Sequence, residues 1–179
     1  MNELYKKMKT GSEKQIAAWE AVRDLGVLLD MSKYNPTLCG TVPIGIDTAG
    51  SDLDIIMEVH DFEKFEKRLV QLYSQYDGFK IKRTSIRGMK VTKANFTYMR
   101  FPFELFGQAM PVNRQNAYLH MIIEQRILNE NPKMKEDVIK LKQRGMKTEP
   151  AFCKLLGIQG DPYMGLIRFG VMKGYINRP

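Results

Sequence analysis

The chain has 179 residues, enough for one compact domain or a sheet domain with a helical extension, and it can bury its own core without a metal or disulfide staple. With 44% hydrophobic and 27% charged residues and no low-complexity tract or internal repeat, its composition excludes a disordered chain or a solenoid. A net charge of +8 favours an anionic partner. Apolar runs such as Gly26–Leu29 and Leu53–Met57 fall far short of the roughly 18 residues a membrane span needs.

The polar stretch Met1–Lys14 has no apolar segment like a signal peptide, so the cytoplasm is the expected compartment. Ser12-Glu13-Lys14-Gln15 has capping-box spacing, and Ile16, Trp19, Val22, Leu25 and Leu29 recur at helical intervals, which predicts a long amphipathic helix broken at Asn35-Pro36. Thr37-Leu38-Cys39 reads as a short buried strand leading to Gly40, followed by a Gly-rich loop to Gly50. From Asp52 to Val59 the pattern alternates, with Leu53, Ile55, Met57 and Val59 on one face and Asp52, Asp54, Ile56 and Glu58 on the other. Asp61 can cap a helix carrying Phe62, Phe65, Leu69 and Leu72.

Phe79–Arg87 and Met89–Met99 read as strands meeting near Gly88, and Phe101–Phe106 as a further strand hairpinned around Arg100. Pro102 requires that strand to begin there or to leave its backbone unpaired at that point. Seven basic residues, Lys80, Lys82, Arg83, Arg87, Lys90, Lys93 and Arg100, fall in this stretch and form either a positive binding face or a solvated sheet surface. After Gly107 the periodicity becomes helical, over Pro111–Leu128, Pro132–Gln143 with a Gly145 cap, Glu149–Leu156 and Asp161–Met172. The expected fold class is therefore α+β, a mixed sheet flanked by helices over residues 1–108 and a helical extension over 109–179 packed on it.

Three features carry chemistry. Asp52 and Asp54, two apart on a strand, point to one side with Cα atoms some 6 to 7 Å apart, which lets two carboxylates share a hard cation. Gly40-Thr41 follows a buried strand, where a glycine allows close backbone approach and a hydroxyl with free N–H groups at a helix start can hold a phosphate. Glu104 lies among Phe101, Phe103, Leu105 and Phe106, where a carboxylate is costly unless it is bound to metal or paired with Arg100 or another basic residue.

In this order, Gly40-Thr41, Ser51-Asp52-Leu53-Asp54-Ile55 and a distant apolar-Glu-apolar strand, the sequence resembles the DNA polymerase β-like nucleotidyltransferase superfamily. The resemblance spans about residues 36–107, with Gly45 where a second loop glycine is common. Glu104-Leu105-Phe106-Gly107-Gln108, Gln115-Asn116-Ala117-Tyr118 and Glu149-Pro150-Ala151-Phe152 narrow it to an uncharacterised bacterial branch. Thr41 stands for the commoner Ser, Glu104 for the commoner Asp, and Val42-Pro43-Ile44 for a stretch that often carries Arg.

The resemblance implies that Asp52, Asp54 and Glu104 are catalytic and hold Mg²⁺ or Mn²⁺, that Gly40, Thr41 and Ser51 bind the phosphates of an NTP co-substrate, and that a small hydroxylated molecule is the acceptor. Nucleic acid is the less favoured acceptor, and a homodimer is compatible with the sequence. The alternatives are a catalytically altered nucleotide- or RNA-binding protein of the same fold, or a transferase acting on tRNA or protein. Asp47 reads as a turn residue with a local hydrogen bond, and His60 and His120 as ordinary histidines. Tyr118, Glu124 and Arg126 are placed to line a cleft facing Glu104. Cys39 and Cys153 read as buried free thiols.

Overall fold

The computed structural model describes residues 3–177; the outermost residues of the two expected parts, 1–2 and 178–179, lie outside it. Five strands, β1 (Thr37–Cys39), β2 (Leu53–Glu58), β3 (Asp77–Ile86), β4 (Met89–Tyr98) and β5 (Phe101–Gln108), form one sheet in the order β1-β2-β5-β4-β3. All neighbours are antiparallel except β2 and β5. The fold is the expected mixed sheet flanked by helices.

β2 explains how the two layers form. Leu53, Ile55, Met57 and the following Val59 are fully buried against α2 (Glu13–Leu25) and α4 (Phe62–Tyr73), in a core that also takes Phe65, Leu69, Phe96, Phe103 and Leu105. Ile56 faces the other way, into a second core with Cys39 and the helices α5 (Asn116–Glu130), α6 (Met134–Gln143), α7 (Thr148–Leu156) and α8 (Pro162–Met172). Sandwiched strands alternate on this pattern because successive side chains point to opposite faces. Asp54 shares the second face, so the helical half of the chain must close over it.

Local chemistry sets the element ends. Ser12 accepts from Gln15 N while Gln15 Oε1 accepts from Ser12 N, completing the predicted capping box. Replacing Ser12 by Ala is expected to cost about 1 kcal/mol and lower Tm by roughly 2–4 °C, which thermal unfolding measures directly. Asp61 and Asp161 cap α4 and α8 by accepting from the backbone N–H groups of Lys64 and Met164. Both hairpins turn on consecutive left-handed residues, Arg87-Gly88 and Met99-Arg100, the backbone that a two-residue loop between twisted strands requires. Pro102 lies just before the β2–β5 pairing begins at Leu53 and Phe103, so its missing N–H costs no ladder bond there.

The first predicted helix is shorter than its periodicity. It stops at Gly26, left-handed at φ 73°, and the chain continues as α3 (Val27–Asp30), which leaves Leu29 78% exposed. A short α1 (Glu3–Met8), absent from the sequence reading, buries Tyr5 and Met8 beside α2. Cys39 and Cys153 are buried free thiols, as expected. No described helix is long and apolar enough to cross a membrane.

Candidate active site

The parallel pairing of β2 with β5 puts Asp54 directly beside Glu104 on the face covered by the C-terminal helices. Asp52 precedes the strand and is exposed, while Asp54 is half-buried. Burial pushes the Asp54 carboxyl up to about 7, and the negative charges of Asp52 and Glu104 push it the same way. Asp52 and Glu104 are therefore each close enough to Asp54 to repel its negative charge.

Glu104 is also the ion-paired residue that burial demanded. Both of its oxygens accept from Lys93 Nζ, at 3.0 and 3.1 Å, so the partner is Lys93 and not Arg100. Removing this cation frees Glu104 and deepens the negative potential around Asp54. Lys93→Met is accordingly expected to tighten Mg²⁺ binding by on the order of fivefold, about 1 kcal/mol; calorimetry that finds equal or weaker binding would contradict it.

Gly40 is adjacent to Cys39, which pairs with Asp54 in the sheet. Its φ is +83°, and a Cβ built there would lie 2.5 Å from Asp54 Oδ2. Close backbone approach, predicted here toward a phosphate, is thus first an approach to a carboxylate. No helix follows Gly40-Thr41. The chain makes a turn, in which the N–H groups of Gly45 and Ile46 donate to Val42 and Thr41 carbonyls. Thr41 Oγ1 donates to Ser51 Oγ at 3.3 Å, and Ser51 Oγ accepts from Thr48 N at 2.9 Å. These hydroxyls and the Gly50-Ser51 turn stand at the cleft wall next to Asp52.

The loop from residue 40 to residue 50 is moored from both sides. Gln15 of α2 donates to the Val42 and Pro43 carbonyls, Lys14 donates to Thr48 O, and Lys142 of α6 donates to Ile46 O at 2.7 Å. Asp47 pairs with Lys14 at 3.2 Å, a contact between elements in place of the expected local bond.

Facing this wall across a cleft of about 410 Å³ are Ala117, His120, Met121 and Glu124 of α5, with Lys142, Lys147 and Glu149 from the α6–α7 region. Glu124 lines this cleft, which faces Asp52 and Asp54 and not the expected Glu104, while Tyr118 and Arg126 open on a separate groove with Pro111 and Asn113. The helical turn explains the split, since 117, 120, 121 and 124 share one stripe and 118, 122, 125 and 126 another. His120, read from sequence as ordinary, is 5% exposed, with Nδ1 3.3 Å from Glu149 Oε1 and Nε2 3.0 Å from Tyr163 O. Its signal was the His120/Glu124 spacing of four. His60 is exposed and pairs with Glu58.

Among the described residues no three His, Cys, Asp or Glu groups meet as a complete metal cage. Asp52 and Asp54 nevertheless suit a hard divalent cation of the Mg²⁺ type, which commonly takes one or two carboxylates and draws its other oxygens from substrate and water. Burial and the charges of Asp52 and Glu104, which together raise the Asp54 carboxyl, are what such a cation would offset.

The family described as a domain of unknown function, DUF4269, matches residues 20–169, and the chain belongs to it. No curated protein matches the sequence. Among solved structures, the Cid1 poly(U) polymerase with MgGTP bound is similar at 14% identity and a TM-score of 0.52, over 78% of this chain and 45% of that one. A cytoplasmic RNA terminal U-transferase is similar at 16% identity and a TM-score of 0.52, over 78% and 44%. The GLD-2/RNP-8 complex gives a TM-score of 0.59 at 9% identity, over 99% and 73%. This chain spans less than half the length of the first two. At such identities the likeness establishes the fold, which is that of nucleotidyltransferase polymerases.

Proposed function

We propose that this DUF4269 protein is a Mg²⁺-dependent nucleotidyltransferase that moves a nucleoside monophosphate from an NTP to the hydroxyl of a small molecule, with residues 1–108 as its nucleotidyltransferase-like unit and 109–179 as a helical cap. One observation carries the reading: β2 and β5 set Asp54 beside Glu104, and Asp54 joins Asp52, Thr41 and Ser51 at the wall of one cleft while sharing an adjoining smaller cavity with Glu104. The neighbouring polymerases, whose structures include one with MgGTP bound, share the fold that makes this arrangement.

Asp52 and Asp54 would hold the Mg²⁺, which when bound supplies charge neutralisation of the triphosphate and of the attacking oxygen. Gly40, Thr41 and Ser51 position the β and γ phosphates, with Ser51, which accepts from Thr41 and Thr48, left free to donate its own O–H into the cleft. The acceptor oxygen attacks the α-phosphorus, the bond to the β-bridging oxygen breaks, and pyrophosphate leaves with that electron pair. Glu104 receives the acceptor's proton, and Lys93 holds its carboxylate in place until then.

The helix-capped cleft, of about 410 Å³, favours a small acceptor over a polymer. The test is pyrophosphate release from purified protein with Mg²⁺, each NTP in turn and a panel of hydroxyl compounds. Absence of both triphosphate binding and pyrophosphate release across the panel would sink the reading.

A further inference from the structure

Glu124 is not used by the chemistry above, yet it is the most anomalous group in the cleft. It is 4% exposed on a helix whose neighbouring inward residues are Met121, Ile123 and Ile127. No described residue donates a hydrogen bond to it or forms an ion pair with it, although it lines the cleft wall opposite Asp52 and Asp54. Burying a carboxyl without a partner costs several kcal/mol at least. Packing does not require it, because an apolar side chain of similar size would suit this core better.

The surrounding charges define what would satisfy it. Glu149 raises the Glu124 carboxyl further, and Lys142 offsets this only in part, since its own ammonium is held by the Ile46 carbonyl and is itself depressed by burial. Glu149 has its own partner in His120, and Lys147 is the remaining cation at the rim. A smaller cavity of about 250 Å³, lined also by Glu104 and Arg87, shares Asp54 and Ala117 with the cleft, and there Gln115 Oε1 is buried without a donor. The groups left for a ligand are therefore acceptors, the Glu124 carboxyl lining the cleft and Gln115 Oε1 in the adjoining cavity, which calls for a ligand carrying N–H donors and positive charge.

We propose that Glu124 binds an ammonium group of the acceptor, so that the acceptor is an amino alcohol and not a neutral polyol. That the bound molecule is an acceptor rests on the nucleotidyl-transfer reading; the ammonium site itself does not. A protein of net charge +8 repels cations in general, so amine binding to it requires a local site of this kind.

The probe is spermidine, a polyamine without hydroxyls, titrated calorimetrically into the full chain in excess Mg²⁺ so that Asp52 and Asp54 are already occupied. Native protein is expected to bind it, and Glu124→Gln, isosteric but unable to ionise, to bind at least about tenfold more weakly. Glu124→Met should lose binding equally while raising Tm, which separates loss of the site from loss of the fold. No binding by the native protein, or equal binding by native and both variants, overturns the proposal. Glu124-dependent spermidine binding with no pyrophosphate release from any amino alcohol would leave the ammonium site standing and remove the transfer reading. Release with neutral polyols but no amine binding would do the reverse.

Discussion

Asp54→Asn is expected to lower pyrophosphate release by on the order of 10³-fold, about 4 kcal/mol of barrier, and to make the metal-free protein more stable at neutral pH. Both effects have one cause. Asp54 is raised to about 7 by burial and by the charges of Asp52 and Glu104, whereas an unfolded aspartate titrates near 3.8. Between those two values the folded protein holds a proton that the unfolded chain has released, so stability falls as pH rises through the window. The loss is complete above about pH 7 and absent below about pH 4. An amide has no proton to lose, and the Asn variant should show a flatter profile. Thermal unfolding of both proteins at pH 5 and pH 8 in chelator measures it, and Mg²⁺ should restore native stability at pH 8 without helping the variant. A variant with native turnover, or one with an unchanged pH slope, would remove Asp54 from the centre of the site.

What could be read from the sequence follows the range of the forces involved. The capping box at Ser12, the caps at Asp61 and Asp161, both tight hairpins and the alternation of β2 all depend on neighbours within a few residues, and each was legible. The first helix was overrun because Leu29 keeps a helical interval from Leu25 although Gly26 adopts a left-handed backbone between them. Periodicity registers spacing and is blind to such a break. The Lys93–Glu104 pair is intermediate: it depends on a register that places Lys93 opposite Phe106 and Asn95 opposite Glu104, which the turn at Met99-Arg100 fixes only once its two-residue length is known. The opposite wall of the cleft was the least legible. Glu124 was found from its helix, but His120, Lys142, Lys147 and Glu149 meet it only because three helices converge, and no local pattern encodes that meeting.

Gly40→Ala should reduce turnover by about 10²-fold or more and cost roughly 1–3 kcal/mol of stability, and the two effects can be separated by comparing three glycines of one loop. Gly40 and Gly45 both have left-handed φ, +83° and +70°, so a side chain strains the backbone at either. They differ in what the new Cβ meets. At Gly40 it lies 2.5 Å from Asp54 Oδ2, and the carboxylate must move away from the position that faces Asp52 and Glu104. At Gly45 it meets the Lys135 Nζ at 2.9 Å, the free end of a flexible side chain that swings aside. Gly50 has neither a left-handed φ nor a neighbour within 4 Å. Gly45→Ala is therefore expected to lower Tm while keeping Mg²⁺ affinity and turnover, Gly50→Ala to change none of the three, and Gly40→Ala to lower all three. If Gly40→Ala lost only stability, the glycine would serve the turn alone. If it lost Mg²⁺ affinity in step with turnover, its role would be to leave room for the carboxylate, making the first residue after β1 part of the metal site without contributing an atom to it.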